Sequence, residues 1–90
     1  MEIEEMKPFV AKALENNFTK EYVKITDTDN ACFQYFDGED VFKSGVALFV
    51  DGKEHTKFIF GDYAENMADL LYYDDIVEQI ALSTLLILHL

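Results

Sequence analysis

Ninety residues allow one domain, 1–90, near the lower limit of what folds unaided, a size that buries roughly 60–65% of the surface exposed by the unfolded chain. Half the residues are apolar, eight are Phe and five are Tyr, so a core can form without metal or disulfide staples, and the lone Cys32 has no partner for an internal disulfide. Eighteen Asp and Glu against seven lysines and no arginine give a net charge of −11, which argues against direct nucleic-acid binding and against an anionic membrane surface, both of which need cations.

Residues 2–16 have helical periodicity. Ile3, Met6, Val10, Ala13 and Leu14 share one face with Phe9 beside them, while Glu4, Glu5, Lys12 and Glu15 point away. Pro8 is tolerable in a first turn and costly deeper, so the helix is expected to start at residue 4 or later, ending at Asn16-Asn17. Residues 19–26 then read as a strand, Asp27-Thr28-Asp29-Asn30 as a turn, and Ala31–Phe36 as a second strand, with Cys32 and Phe36 on one side and Phe33 and Tyr35 on the other. Asp37-Gly38-Glu39-Asp40 turns the chain again.

Residues 41–60 form the centre of the pattern. Two apolar runs, 41–50 and 54–60, meet at Asp51-Gly52, a strong hairpin signal because glycine accepts positive φ. A three-residue loop, Val50-Asp51-Gly52 with Gly52 left-handed, would pair Phe42 with Phe60, Ser44 with Phe58 and Val46 with Thr56. That register gathers Phe42, Val46, Leu48, Phe58 and Phe60 on one face, and a one-residue slip would break up the set. Four consecutive strands with short connections imply an antiparallel meander.

After Phe60 the period becomes helical. Gly61-Asp62 followed by Glu65 has the look of a capping box, and Tyr63, Met67, Leu70 and Leu71 follow at helical spacing. An uninterrupted helix from 63 to 88 would be about 39 Å long, against about 27 Å for an eight-residue strand. A break is therefore expected near residues 72–75, before a last helix from Ile76 to about Leu88. The expected fold is α+β: an N-terminal helix, a four-stranded antiparallel meander, and one or two C-terminal helices on one sheet face.

Chemistry is thinly supplied. An EF-hand register from Asp27 puts Ala31 at position 5, Cys32 at 6 and Gly38 at 12, so the calcium pattern fails and no metal or cofactor is expected. His55 and His89 are the only imidazoles, and Cys32 and His55 are expected on strands separated by a third, so no enzyme activity is expected. No signal peptide is visible, and the apolar tract 81–90 is too short to span a bilayer; the expectation is a soluble, cytoplasmic protein, in the host cytoplasm if phage-encoded.

The acids of the C-terminal segment form the leading candidate site. Asp62, Glu65 and Asp69 fall at i, i+3 and i+7, one edge of a helix, and Asp74, Asp75 and Glu78 continue beyond the break. A rigid row of carboxylates can occupy a basic groove meant for DNA or RNA, and it also suits an ordinary solvated face. Tyr72 and Tyr73 cannot both point inward from a helix, so one is expected to be an exposed interface anchor. Together these residues suggest a protein-binding inhibitor of a basic, nucleic-acid-handling partner: a nucleic-acid mimic, a phage-type antagonist of host defence, or an immunity-like protein. That analogy is one of composition only, and no stretch carries a motif specific to one family. The alternative is a structural or oligomerising accessory domain, a homodimer through the apolar helix at Leu82, Leu85 and Leu86.

Overall fold

In the computed structural model, which describes residues 1–26, 28–40, 43–61 and 66–90, the chain runs α1 (Ile3–Glu15), β1 (Val23–Lys24), β2 (Ala31–Phe36), β3 (Gly45–Val50), β4 (Lys53–Ile59), a 3-10 turn (Met67–Asp69) and α2 (Tyr73–Leu88). The four strands form an antiparallel sheet in chain order, β1-β2-β3-β4. The α+β class, the meander and the break before the last helix are as the sequence leads one to expect.

Helix α1 begins at Ile3, one residue before the earliest start expected from Pro8. The Glu5 carboxylate accepts the Glu2 amide proton at 3.0 Å, closing the helix start at residue 2 and leaving Pro8 in the second turn. A proline there costs about 3 kcal/mol. Burial of Met6, Val10 and Leu14, at roughly 1.5–3 kcal/mol each, outweighs that cost, and Pro8 itself sits on the exposed side.

The expected strand over residues 19–26 shrinks to Val23–Lys24. The cause is local: Lys20 adopts φ 56°, donates its amide to the Asn16 carbonyl at 2.7 Å, and offers its own carbonyl to the Gln34 side chain at 2.9 Å. These bonds spend the first residues of the segment on a turn.

The central hairpin corrects the expected loop. Asp51 and Gly52 both have positive φ, 55° and 76°, so the connection is a two-residue turn pairing Val50 with Lys53. The ladder then shifts between Leu48 and Phe49, leaving His55 as an extra residue, after which Leu48 faces Thr56 and Val46 faces Phe58. The expected pairing of Val46 with Thr56 is thus displaced by two residues. A shift of two preserves the face of every side chain, so Val46 and Leu48 are still buried, with Phe58 and Phe60 packed against the same core. Val41 and Phe42 lie outside the described residues.

Gly45 is required by close approach, since a Cβ there would collide with the Phe58 carbonyl across the ladder. On the covered side of the sheet, Phe33, Tyr35, Val46 and Leu48 pack with Met6, Val10 and Leu14 of α1 and Val77, Ile80 and Ala81 of α2 in one cluster. Thr84, fully buried on α2, donates its hydroxyl to the Ile80 carbonyl at 2.7 Å and so brings no unpaired polar atom inside.

Candidate functional site

The stretch joining β4 to α2 is where the proposed site residues must be placed. Asp62 and Glu65 lie outside the described residues. Asn66 is extended (φ −102°, ψ 106°), and its side chain accepts the Ala68 amide at 3.2 Å to start a single 3-10 turn. Leu70 is extended again at ψ 136°. A continuous helix edge carrying Asp69 at i+7 from Asp62 is therefore not formed. The Asn66 side chain takes the Ala68 amide and caps a new turn there, which interrupts any helix running through residue 66.

What replaces the row is a promontory. Tyr72 takes a left-handed backbone conformation, φ 68°, and α2 starts at the next residue. This conformation throws Leu71 and Tyr72 outward, 70% and 65% exposed, while Tyr73 turns in and is half-buried against the core. Burial raises the Tyr73 phenol pKa, with the charges of Glu15 and Asp74 adding to the rise. Leu71 follows Met67 at helical spacing in the sequence but stands on no helix, and Asn66 and Asp69 just ahead are both helix-disfavouring residues.

Around Leu71 and Tyr72, the side chains of Asp69, Asp74 and Asp75 line an open cleft of about 510 Å³, and Glu78 follows Asp74 by one turn of α2. Asp74 and Asp75 stand in the first turn, where the helix dipole favours negative charge. Five of the seven lysines pair with carboxylates elsewhere: Lys7 with Glu4, Lys12 with Glu15, Lys20 with Asp37, Lys43 with Glu39 and Lys57 with Glu54. Among the described residues, none of Asp69, Asp74, Asp75 and Glu78 has an ion-pair partner. Lys7 does feel α2: its pKa is raised, first by its hydrogen bond to Glu4 and further by Glu78 and Asp74.

Charge is unevenly divided along the chain. Residues 58–90 hold six of the eighteen carboxylates and no lysine, −6 of the total −11; residues 1–57 hold twelve carboxylates against seven lysines, −5. A third of the sequence thus carries more than half the net charge.

Other candidates are dispersed. His55, the extra residue of the β4 bulge, is exposed with Nδ1 2.7 Å from Thr56 Oγ1, and β3 lies between it and Cys32. Among the described residues no group of three or more His, Cys, Asp or Glu is placed to hold a metal ion, and no helix is long and apolar enough to cross a membrane. On α2, Leu82 and Leu86 are exposed, whereas Leu85 packs against the core, so the expected three-leucine seam reduces to two.

No protein-family model matches the chain, and neither curated proteins nor solved structures give a match.

Proposed function

We propose that this protein is a binding inhibitor or antagonist that docks the turn before α2 onto a basic, nucleic-acid-handling protein. The observation that carries the reading is the pairing of two exposed apolar anchors, Leu71 and Tyr72, with unpaired carboxylates at Asp69, Asp74 and Asp75 and with Glu78 one turn on. Tyrosine is a frequent interface anchor because its body is apolar and its tip polar. The ring of acids supplies attraction to a positive surface, long-range steering and selectivity against acidic surfaces. Asp62 and Glu65, which share the lysine-free stretch of sequence, remain proposed contacts on that ground alone.

The test is a comparison of binding to the protein captured by the wild-type chain from its native cell. A variant with Asp69→Lys, Asp74→Lys and Asp75→Lys should bind at least about 100-fold more weakly at low salt. Wild-type affinity should fall steeply as added salt shortens the Debye length to about 10 Å at 0.1 M. Unchanged affinity in the variant would remove this face from the interface.

The second reading, a homodimer through α2, is favoured by Leu82 and Leu86, 43% and 69% exposed at i and i+4. Together they present little more than one leucine side chain, against the roughly 800 Å² per partner of a stable interface. A dimer dissociated by Leu86→Asp and insensitive to salt would favour it.

A further inference from the structure

The sheet is covered on one face. Both helices pack against Phe33, Tyr35, Val46 and Leu48, and among the described residues no helix or strand crosses the other face. An antiparallel sheet with one solvated face alternates apolar with polar residues. The two central strands do not. On the uncovered face β2 presents Cys32, Gln34 and Phe36, and β3 presents Gly45, Ala47 and Phe49, with no charge among them. Charge is confined to the flanking strands, as Lys24 on β1 and as Glu54 and Lys57 on β4, where Ile59 is 57% exposed. Side-chain contacts agree with this placement. Lys57 Nζ stands 5.2 Å from the Phe36 ring centre and 3.8 Å from the Glu54 carboxylate, and Tyr22 meets Phe49 edge-on at 5.4 Å. An apolar centre with a charged rim is the make-up of a protein–protein interface.

The register makes this face complementary to itself. Rows across the sheet run Lys24–Cys32–Phe49–Glu54, Gln34–Ala47–Lys57 and Phe36–Gly45–Ile59. A two-fold axis parallel to the strands, between β2 and β3, lays each row reversed onto the same row of a second copy. Lys24 then meets Glu54 of the second copy, twice, and Lys24 has no ion-pair partner among the described residues of its own chain. Phe36 meets Gly45, Gln34 meets Ala47 and Phe49 meets Cys32, so each larger side chain comes down on a smaller one. Sheets packed face to face lie about 10 Å apart, a gap that interdigitating side chains fill. Charge favours the same arrangement. The strand positions of this face carry two lysines against one carboxylate, on a chain of net charge −11, while Asp74, Asp75 and Glu78 stand on α2, in the layer behind the sheet.

We infer that the uncovered sheet face binds a second copy of this chain, forming a two-fold dimer with both α2 helices on the outside. Four strands about 4.8 Å apart and about 20 Å long give a footprint of about 400 Å². That places the dimer among small, weakly held interfaces, with a Kd of about 10–100 μM. Two chains of charge −11 repel at long range, so added salt strengthens this association, the opposite of its effect on a basic partner. Single-stranded nucleic acid, which also stacks on aromatic faces, is the poorer occupant, because Lys57 is already paired with Glu54 and leaves Lys24 alone to meet phosphate on this face. The inference is independent of the proposed function and does not use Leu82 or Leu86.

Sedimentation equilibrium of the full-length protein, from about 1 μM to about 1 mM, should show monomer and dimer. The dimer should be at least about threefold tighter in about 0.5 M than in about 0.05 M salt. On dilution of isotopically labelled protein, amide shifts should move at Cys32, Phe36, Ala47 and Phe49 and hold still along α2. Glu54→Lys reduces the net negative charge, yet it should weaken the dimer at least about tenfold by setting a lysine against each Lys24. Lys24→Glu should weaken it as much, and the double variant, with the net charge restored, should regain most of the loss. Phe49→Glu should leave only monomer; should it fail to fold, the exposed charge variants decide. A monomer at every concentration overturns the inference, and so does a dimer lost on Leu86→Asp with shifts along α2. No recovery in the double variant overturns the two-fold arrangement. Shifts on this face produced by a thymidine oligonucleotide, without a dimer, assign it to nucleic acid and overturn the inference.

Discussion

At Tyr72 a large side chain holds a backbone conformation that costs a non-glycine residue roughly 1–2 kcal/mol, and it does so while 65% exposed. Core packing gives no reason to keep a tyrosine there. Tyr72→Gly should therefore leave stability unchanged or raise it by about 1 kcal/mol in urea denaturation, while weakening partner binding at least about tenfold. A loss of stability would mean that the ring packs structurally. That one tyrosine of the pair is exposed was readable from two adjacent helical positions; which one was not, because the choice is made by the left-handed turn. Cys32 illustrates a second kind of residue effect. It is half-buried on the outer sheet face, and burial pushes its thiol pKa up. A raised folded-state value favours the fold below the unfolded thiol's pKa, near 8.5, and that contribution disappears as pH rises through the folded value. Stability should thus fall above about pH 8.5 less steeply in Cys32→Ala than in the wild type, as read from urea midpoints across the pH range.

At the scale of elements, the hairpin shows which features a sequence pattern transmits. Alternation of Val46, Leu48, Phe58 and Phe60 determines which face is buried, and the shift of two residues leaves this intact. Loop length is set instead by Asp51, which accepts φ 55° and so admits the tighter turn, with the bulge at His55 restoring the face afterwards. Gly52→Ala, at φ 76°, should cost about 1 kcal/mol. Gly45→Ala should cost more, about 2–3 kcal/mol, because its new methyl meets the Phe58 carbonyl, part of a rigid ladder, rather than a mobile side chain. Equal effects at the two positions would contradict this, since Gly52 has open space around it. The short β1 was not legible: residues 19–26 carry strand-forming side chains, and the turn at Lys20 depends on a long-range bond from Gln34. The interruption of the helix at residue 66 was not legible for a similar reason, as helical spacing alone does not register the Asn66 side chain that restarts the chain as one 3-10 turn.

For the molecule as a whole, what matters is where the charge sits rather than how much there is. Lysines neutralise carboxylates along α1 and around the sheet, and the segment after residue 57 is left without any. An acidic excess that served solubility alone would need no such division, since net charge acts on solubility wherever it is placed. The direct measurement is binding to the captured partner by two charge-matched variants: Asp69→Lys with Asp75→Lys, and Glu21→Lys with Asp29→Lys. Both change the net charge by the same amount. Engagement through the α2 promontory predicts at least about tenfold weaker binding for the first pair and near wild-type affinity for the second; equal losses in the two would contradict it.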